Sequence, residues 1–280
     1  EQSRLAGGQE LDLSGQGLKQ LPHERLAAAL AAGVTTVSLA RNELAALRPE
    51  GAERLQSLDV SHNSIAGADC AGLAGLRALD LSFNALASPP AALDCMRWLR
   101  ELNLGHNRIA ALPAAVGALE GLVFLDLSHN QLQELPEEFG NLACLETLYL
   151  NGNRLTAAGC RLGALCSLRM VDLSQNRLAA LPDVALLASL AKLYLNDNRL
   201  ASLGRELRLL PKLRELSLRG NRLSSLPAEL ADMPRLALLD LADNEFAEPS
   251  VYGSGDAALI VRYMQAPPAE QRRIAAEQRR

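Results

Sequence analysis

Residues 122–155 read LVFLDLSHNQLQELPEEFGNLACLETLYLNGNRL, and the fold is decided there. The stretch holds one frame twice. Leu122, Leu125 and Leu127 precede Asn130 and Leu132 follows; Leu145, Leu148 and Leu150 precede Asn153 and Leu155 follows. Reading outward in both directions, the same Asn recurs at Asn42, Asn63, Asn84, Asn107, Asn176, Asn198, Asn221 and Asn244, a mean spacing of about 22 residues and the mark of a tandem array. An imperfect earlier copy has Leu11, Leu13 and Leu18 with Gln16 at the Asn position, which makes eleven repeats with the first as an N-terminal cap. Leu125-Asp126-Leu127 alternates apolar and polar, so as a strand it points its leucines inward and its Asp outward. One such strand cannot bury its leucines alone; stacking against neighbours gives a continuous core. The Asn amide then has a task, to satisfy backbone groups where each coil leaves the strand, because a buried unpaired group costs about 1–3 kcal/mol.

The spelling L-x-x-L-x-L-x-x-N-x-L resembles the leucine-rich-repeat family over roughly residues 8–246. The resemblance implies an α/β repeat fold, a leucine-rich-repeat solenoid with one concave parallel sheet of about eleven short strands. Leu112-Pro113, Leu135-Pro136, Leu181-Pro182 and Leu226-Pro227 fall five and six residues after the Asn, where proline disfavours a long helix and predicts short 3₁₀ or irregular convex turns. Repeats without that proline, at Ala157-Ala158-Gly159 and Ser202-Leu203-Gly204, are expected to differ locally. This 23-residue L-P subtype is similar to the intracellular Ras-group leucine-rich-repeat scaffold proteins. Phe246-Ala-Glu-Pro249, followed by Gly255 to Met264, is similar to the closing turn and capping helix of that group, although Asn244-Glu245 stands where its Asn-Pro is usual. Ser254 or Asp256 is placed to cap the helix start, Leu259, Ile260, Tyr263 and Met264 to cover the last core layer, and Pro267-Pro268 to end the helix. The expected domains are a repeat domain at 1–246, a capping segment at 247–268 and a charged helical tail at 269–280.

Composition suits this reading. Of 280 residues, 49% are hydrophobic but only 3% aromatic, so Leu and Ala build the core in repeated small layers. A net charge of −4 lacks the basic footprint of a nucleic-acid binder. No run approaches the roughly 18 apolar residues of a membrane span. The sequence begins at Glu1, as a processed form or a fragment would. Five cysteines, none near an end, and the absence of any Asn-x-Ser/Thr acceptor point to the cytoplasm.

No nucleophile–base grouping, phosphate loop or dinucleotide fingerprint is present, so no enzyme, cofactor or metal is expected. His62, His106 and His129 share one frame position with Phe83 between the first two; they read as a metal site or as a polar surface ladder. Cys70, Cys95, Cys144, Cys160 and Cys166 read as buried free thiols, with a redox pair between Cys144 and Cys166 as the sharper reading. The outward strand positions say most. Phe83, Phe124, Tyr149, Met170 and Tyr194 project from the concave side with Asp126 and Asp172 between them. A scarce aromatic supply on an exposed face is the composition of an interface hot spot, or else of packing along the sheet. Arg108, Arg154, Arg177, Arg199 and Arg222 form a row just beyond the Asn, as charge spacers or a steering rim. Trp98, the only tryptophan, is placed on the opposite loop edge.

The expected function is a monomeric protein-interaction scaffold or adaptor in intracellular signal transduction, holding a folded protein on its concave face. By resemblance, small GTPases or phosphatase subunits are candidate partners, with neither nucleic acid nor a membrane span involved. The alternatives are a regulatory domain of a larger GTPase or kinase, and an extracellular recognition domain, which the absent cysteine caps and glycosylation acceptors oppose.

Overall fold

A computed structural model describes residues 10–49, 51–157, 159–160, 162–233 and 235–279. Eleven three-residue strands, one per repeat and following chain order, make up the parallel sheet that the period predicts. The contacts divide the chain into two units, Glu1–Leu148 and Tyr149–Arg280, and each has its own logic.

In the first unit the repeat strands are β1 (Glu10–Asp12), β2 (Thr36–Ser38), β4 (Ser57–Asp59), β6 (Ala78–Asp80), β7 (Glu101–Asn103) and β8 (Phe124–Asp126), each paired in parallel with the next. β9 (Thr147–Tyr149) lies at the boundary. The middle residue of every strand is buried and its neighbours face outward, as alternation requires. Leu79, Leu102 and Leu125 therefore stack beneath the sheet with exposures of 2% or less.

The Asn amides do what their period suggested. Asn107 donates from Nδ2 to the carbonyls of Leu81, Leu104 and Gly105 at 3.0–3.2 Å, and its Oδ1 accepts the Leu86 N–H at 3.0 Å. One side chain thus ties its own coil to the preceding one. The residue before each of these asparagines is left-handed, from Arg41 (φ 56°) through His106 (φ 54°) to Asp243 (φ 56°), with Gly152 and Gly220 in the same place. Such a conformation costs an L residue roughly 1–2 kcal/mol. The turn is held because its N–H reaches the next coil, as from His62 to the Ser82 carbonyl at 3.0 Å.

Two features of this unit were not expected. The first repeat carries α1 (His23–Ala31), whose Leu26 and Leu30 are buried. Its Ala- and Leu-rich run favours helix, and Gly33 (φ 88°) ends it while the Val34 N–H bonds the Ala29 carbonyl. Second, β3 (Ala46–Leu47) and β5 (Gly67–Ala68) form a small parallel sheet on the side away from the repeat strands. Repeat length explains it. Asn42, Asn63 and Asn84 are 21 residues apart, too short a return for a 3₁₀ turn, so the chain stays extended. Where the spacing is 23, 3₁₀ turns form at Leu93–Cys95, Ala114–Ala118 and Glu137–Asn141. These turns stack closely. A Cβ on Gly117 would lie 2.5 Å from the Glu138 carbonyl oxygen and 2.8 Å from its Cβ. Gly117→Ala is expected to lower unfolding free energy by about 1–3 kcal/mol in denaturant titration; an unchanged midpoint would show that the turns slide apart freely.

In the second unit, β10 (Met170–Asp172), β11 (Lys192–Tyr194), β12 (Glu215–Ser217) and β13 (Leu238–Asp240) pair in parallel. Here proline does not decide the turn. Leu181-Pro182 makes no 3₁₀ turn, in a repeat of 22 residues, whereas Ser202-Leu203-Gly204 leads into one at Arg205–Leu209 because Gly204 takes the extended backbone that proline enforces elsewhere (φ −79°, ψ 168°). At Ala157-Ala158-Gly159 a turn is present, and Ala158 lies outside the described residues.

The end of this unit is built from α2 (Pro249–Tyr252), α3 (Ala257–Gln265) and α4 (Pro268–Gln278). Asp256 caps α3, accepting from the N–H groups of Ala258 and Leu259 at 2.9 and 3.1 Å, and the Ser254 hydroxyl accepts the Asp256 N–H at 3.3 Å. Ile260 is fully buried, while Leu259, Tyr263 and Met264 are half-buried. Residues 269–279 do not behave as a charged tail. Ile274 and Ala275 of α4 are buried against Val251, with Leu259, Tyr263 and Ala266 packed on them. Two adjacent apolar residues in a strongly polar helix do not make a stripe, which is why the pattern gave no sign of packing.

Candidate protein-interaction surface

The outward strand positions were the expected surface, and the structure sorts them. In the first unit Phe124 and Asp126 flank the buried Leu125 on β8, both half-buried on the strand face. Phe83 is elsewhere. It occupies the left-handed turn after β6 and stacks between His62 and His106, with ring centroids 4.2 and 4.0 Å away. His106 stacks in turn on His129 at 4.2 Å. The four rings form a ladder along the strand ends rather than part of the strand face. Burial and the nearby His129 hold the His106 imidazole below its usual range, with Asp126 opposing. Among the described residues no group of three metal-ligating side chains converges.

In the second unit Met170 and Asp172 of β10 lie in register with Lys192 and Tyr194 of β11. Tyr194 is fixed from its far side: its hydroxyl donates to Glu215 Oε2 at 2.6 Å, and Lys192 Nζ meets Glu215 Oε1 at 3.0 Å. Desolvation first, and then the Glu215 contact, push the Tyr194 phenol up to about 12. The hydrogen bonds from Tyr194 and Lys192 hold the Glu215 carboxyl below its usual range. Tyr149, on β9, is half-buried on the same side of its strand as Asp172 and Tyr194 are on theirs. The coupling of Tyr194 to Glu215 escaped the sequence reading, although the 21-residue offset places them on adjoining strands.

The acidic positions have a local cause as well. Asp126 Oδ1 accepts the Ser128 N–H at 2.7 Å and Asp172 Oδ1 accepts the Ser174 N–H at 2.9 Å; Asp59, Asp80 and Asp240 do the same two residues on. Each carboxylate secures the turn out of its strand, and the recurring Asp-Leu-Ser spelling carries that signal.

On the strand-end edge, Arg108, Arg154, Arg177, Arg199 and Arg222 are all exposed. On the opposite edge Trp98 is 66% exposed, as placed from sequence. The cysteines depart from expectation. Cys70 and Cys160 are buried thiols, pushed up to about 12 by burial, but Cys95, Cys144 and Cys166 are exposed. The latter three stand on connecting turns where the frame asks for no apolar residue.

The profile of the leucine rich repeat family matches residues 90–155, 166–223 and 188–246, more than half of the chain. The chain belongs to the leucine-rich-repeat family. Members of this family generally mediate protein–protein interaction, and the fold is typically a binding scaffold. Among solved structures, this leucine-rich-repeat chain is similar to an internalin, InlF, from Listeria monocytogenes, with a TM-score of 0.72 and 20% identity over 84% of this chain and 67% of that one. It is similar to YopM, a leucine-rich effector protein from Yersinia pestis, with a TM-score of 0.69 and 29% identity over 85% of this chain and 61% of that one. A TLR13–ssRNA13 complex gives a TM-score of 0.74 and 25% identity over 85% of this chain but 36% of that one. No curated protein matches the sequence. Among the described residues no helix is long and apolar enough to cross a membrane.

Proposed function

We infer that this chain is a scaffold or adaptor that holds a folded protein partner on its strand face and acts in cytoplasmic signal transduction, as a monomer without catalytic chemistry. The observation that carries the reading is Tyr194. It is an aromatic side chain on an outward strand position, with Asp172 in register beside it and its hydroxyl fixed by Glu215. An aromatic group immobilised before binding loses little entropy when a partner covers it, which is the property of an interface anchor. Met170 and Tyr149 in the same unit, and Phe124 with Asp126 in the first, extend the apolar-and-acidic character of the face. The L-P repeats support the Ras-group scaffold subtype, with a small GTPase or a phosphatase subunit as partner. Phe83 belongs to this reading only as an exposed ring at the strand ends. A nucleic-acid partner is disfavoured by the carboxylates of Asp59, Asp80, Asp126, Asp172 and Asp240 on the outward strand positions, which repel phosphate.

The test uses a partner recovered from cells by affinity purification and identified by mass spectrometry. Tyr149→Ala and Tyr194→Ala should each weaken binding by about 2 kcal/mol or more, roughly thirtyfold. Asp126→Asn and Asp172→Asn should mainly slow association, most at low salt. Unchanged affinity in both tyrosine variants, with a large loss in Trp98→Ala, moves the contact to the opposite edge and refutes the strand-face reading.

A further inference from the structure

Trp98 is the large side chain that the repeat frame leaves unaccounted for. It stands three residues before β7, where the preceding coil has Gly75, and it is 66% exposed. It lines a groove of about 540 Å³ together with Leu30, Val34, Glu53, Arg54 and Arg77, all within the first unit. The groove runs along the loops that enter β2, β4, β6 and β7, on the edge opposite the Asn amides. Its depth has a local origin. The left-handed turn at Gly33, which ends α1, and the bare Gly75 leave the floor without side chains. A Cβ at Gly75 would overlap the Glu53 carbonyl oxygen, so close packing of the two coils keeps that position empty.

The charge around the groove is one-sided. Arg54 and Arg77 are exposed at its rim against Glu53 alone, and among the described residues neither guanidinium is paired with a carboxylate. Arg97 and Arg100 flank Trp98 in sequence and are exposed too, Arg100 donating to the Gly121 carbonyl. Tryptophan and arginine are the residue types most enriched at binding hot spots. We propose that this groove is a second binding surface, which takes an acidic peptide segment of a partner protein. One large apolar side chain of that segment lies against Trp98, and its carboxylates pair with Arg54 and Arg77. The exposed Trp98 ring, beside the buried edges of Leu30 and Val34, calls for a side chain, not a phosphate, between the charges. The planar guanidinium forks match carboxylates in two-bond geometry.

Because Trp98 is the only tryptophan in the chain, its emission reports on this groove alone. The probe is the peptide Asp-Glu-Leu-Asp-Glu-Phe-Asp-Glu, titrated unlabelled against Trp98 emission and, with a fluorescent label, by anisotropy. The expected result is a saturable blue shift. Trp98→Ala should weaken the labelled peptide by roughly thirtyfold. The double variant Arg54→Glu, Arg77→Glu should weaken it by at least roughly tenfold, with most of the remaining salt dependence gone. All three side chains are exposed, so melting curves should match those of the parent chain. Tyr194→Ala should bind the peptide unchanged, which separates this surface from the strand face. The proposal is overturned by no saturable change up to roughly 1 mM peptide, or by equal binding of a peptide with Lys at every acidic position. It is overturned as well by a blue shift that follows protein concentration without peptide, since a second copy of the chain would then fill the groove.

Discussion

Replacing Asn107 by alanine is expected to cost about 3 kcal/mol or more, while the same change at Gln16, the equivalent frame position of the first repeat, costs at most about 0.5 kcal/mol. Asn107 is 8% exposed and serves four backbone groups: the carbonyls of Leu81, Leu104 and Gly105 and the N–H of Leu86. Alanine leaves the Leu86 N–H buried without a partner, at about 1–3 kcal/mol, and takes one donor each from the carbonyls of Leu81, Leu104 and Gly105, which keep Asn84, Asn130 and the Phe83 N–H, at about 0.5–1.5 kcal/mol each. Gln16 is exposed, and among the described residues its Oε1 accepts from the Arg25 guanidinium alone, at 3.1 Å. In the first repeat the work is done from the next coil, where Asn42 Oδ1 accepts the N–H groups of Gln16 and Leu18 at 2.9 and 3.0 Å. In a chain of this size 3 kcal/mol lowers the melting temperature by about 6–12 °C. Hydrogen exchange of the Leu86 amide gives the local readout, and its protection should fall the most. Equal costs at Asn107 and Gln16 would mean that the leucine layers alone hold the coils together, with the amides as passengers.

That contrast shows where the sequence is legible. A side chain whose task repeats announces itself by its period, so the Asn positions, the buried strand leucines and the parallel sheet could all be read before any coordinates. The Asp at the strand end repeats too, but its period has two explanations, and only the Asp126 to Ser128 bond separates turn support from an acidic surface. What does not repeat was hidden. The 3₁₀ turns do not follow proline, as Gly204 and Pro182 show from opposite sides. The Phe83 stack was half visible: the shared frame with His62 and His106 was plain, but the left-handed turn that lifts those rings off the strand face is a backbone property, carried there by residues as different as Arg41 and Asp243. The groove at Trp98 depends on α1, which no other repeat has and which the frame therefore could not suggest.

The cap at the C-terminal end is the other non-repeating part, and removing it should have the largest effect of all. Deleting residues 255–280 takes away α3 and α4 and uncovers Phe246 and Val251, 7% and 0% exposed in the intact chain, along with the ends of Leu239 and Leu241. Full burial of such a side chain is worth about 1.5–3 kcal/mol, so the loss is on the order of 5 kcal/mol at this end of the array. It also removes the bridge between Leu238 and Asp256, leaving β13 as an open edge beside an exposed leucine. Aggregation is expected together with a lower melting temperature. A finer variant decides where the cap stops. If residues 269–279 were a tail, Ile274→Asp would be silent. Ile274 is 1% exposed, against Val251 and near Tyr263, so a carboxylate there is buried without a partner. Ile274→Asp should therefore cost about 3 kcal/mol and loosen α4, with Ala276→Asp, exposed on the same helix, as the matched change in charge. Light scattering and thermal melting of the three variants give the answer. A soluble, equally stable deletion would show that the last repeat closes its own core, and a silent Ile274→Asp beside a damaged deletion would place the cap in α3 alone.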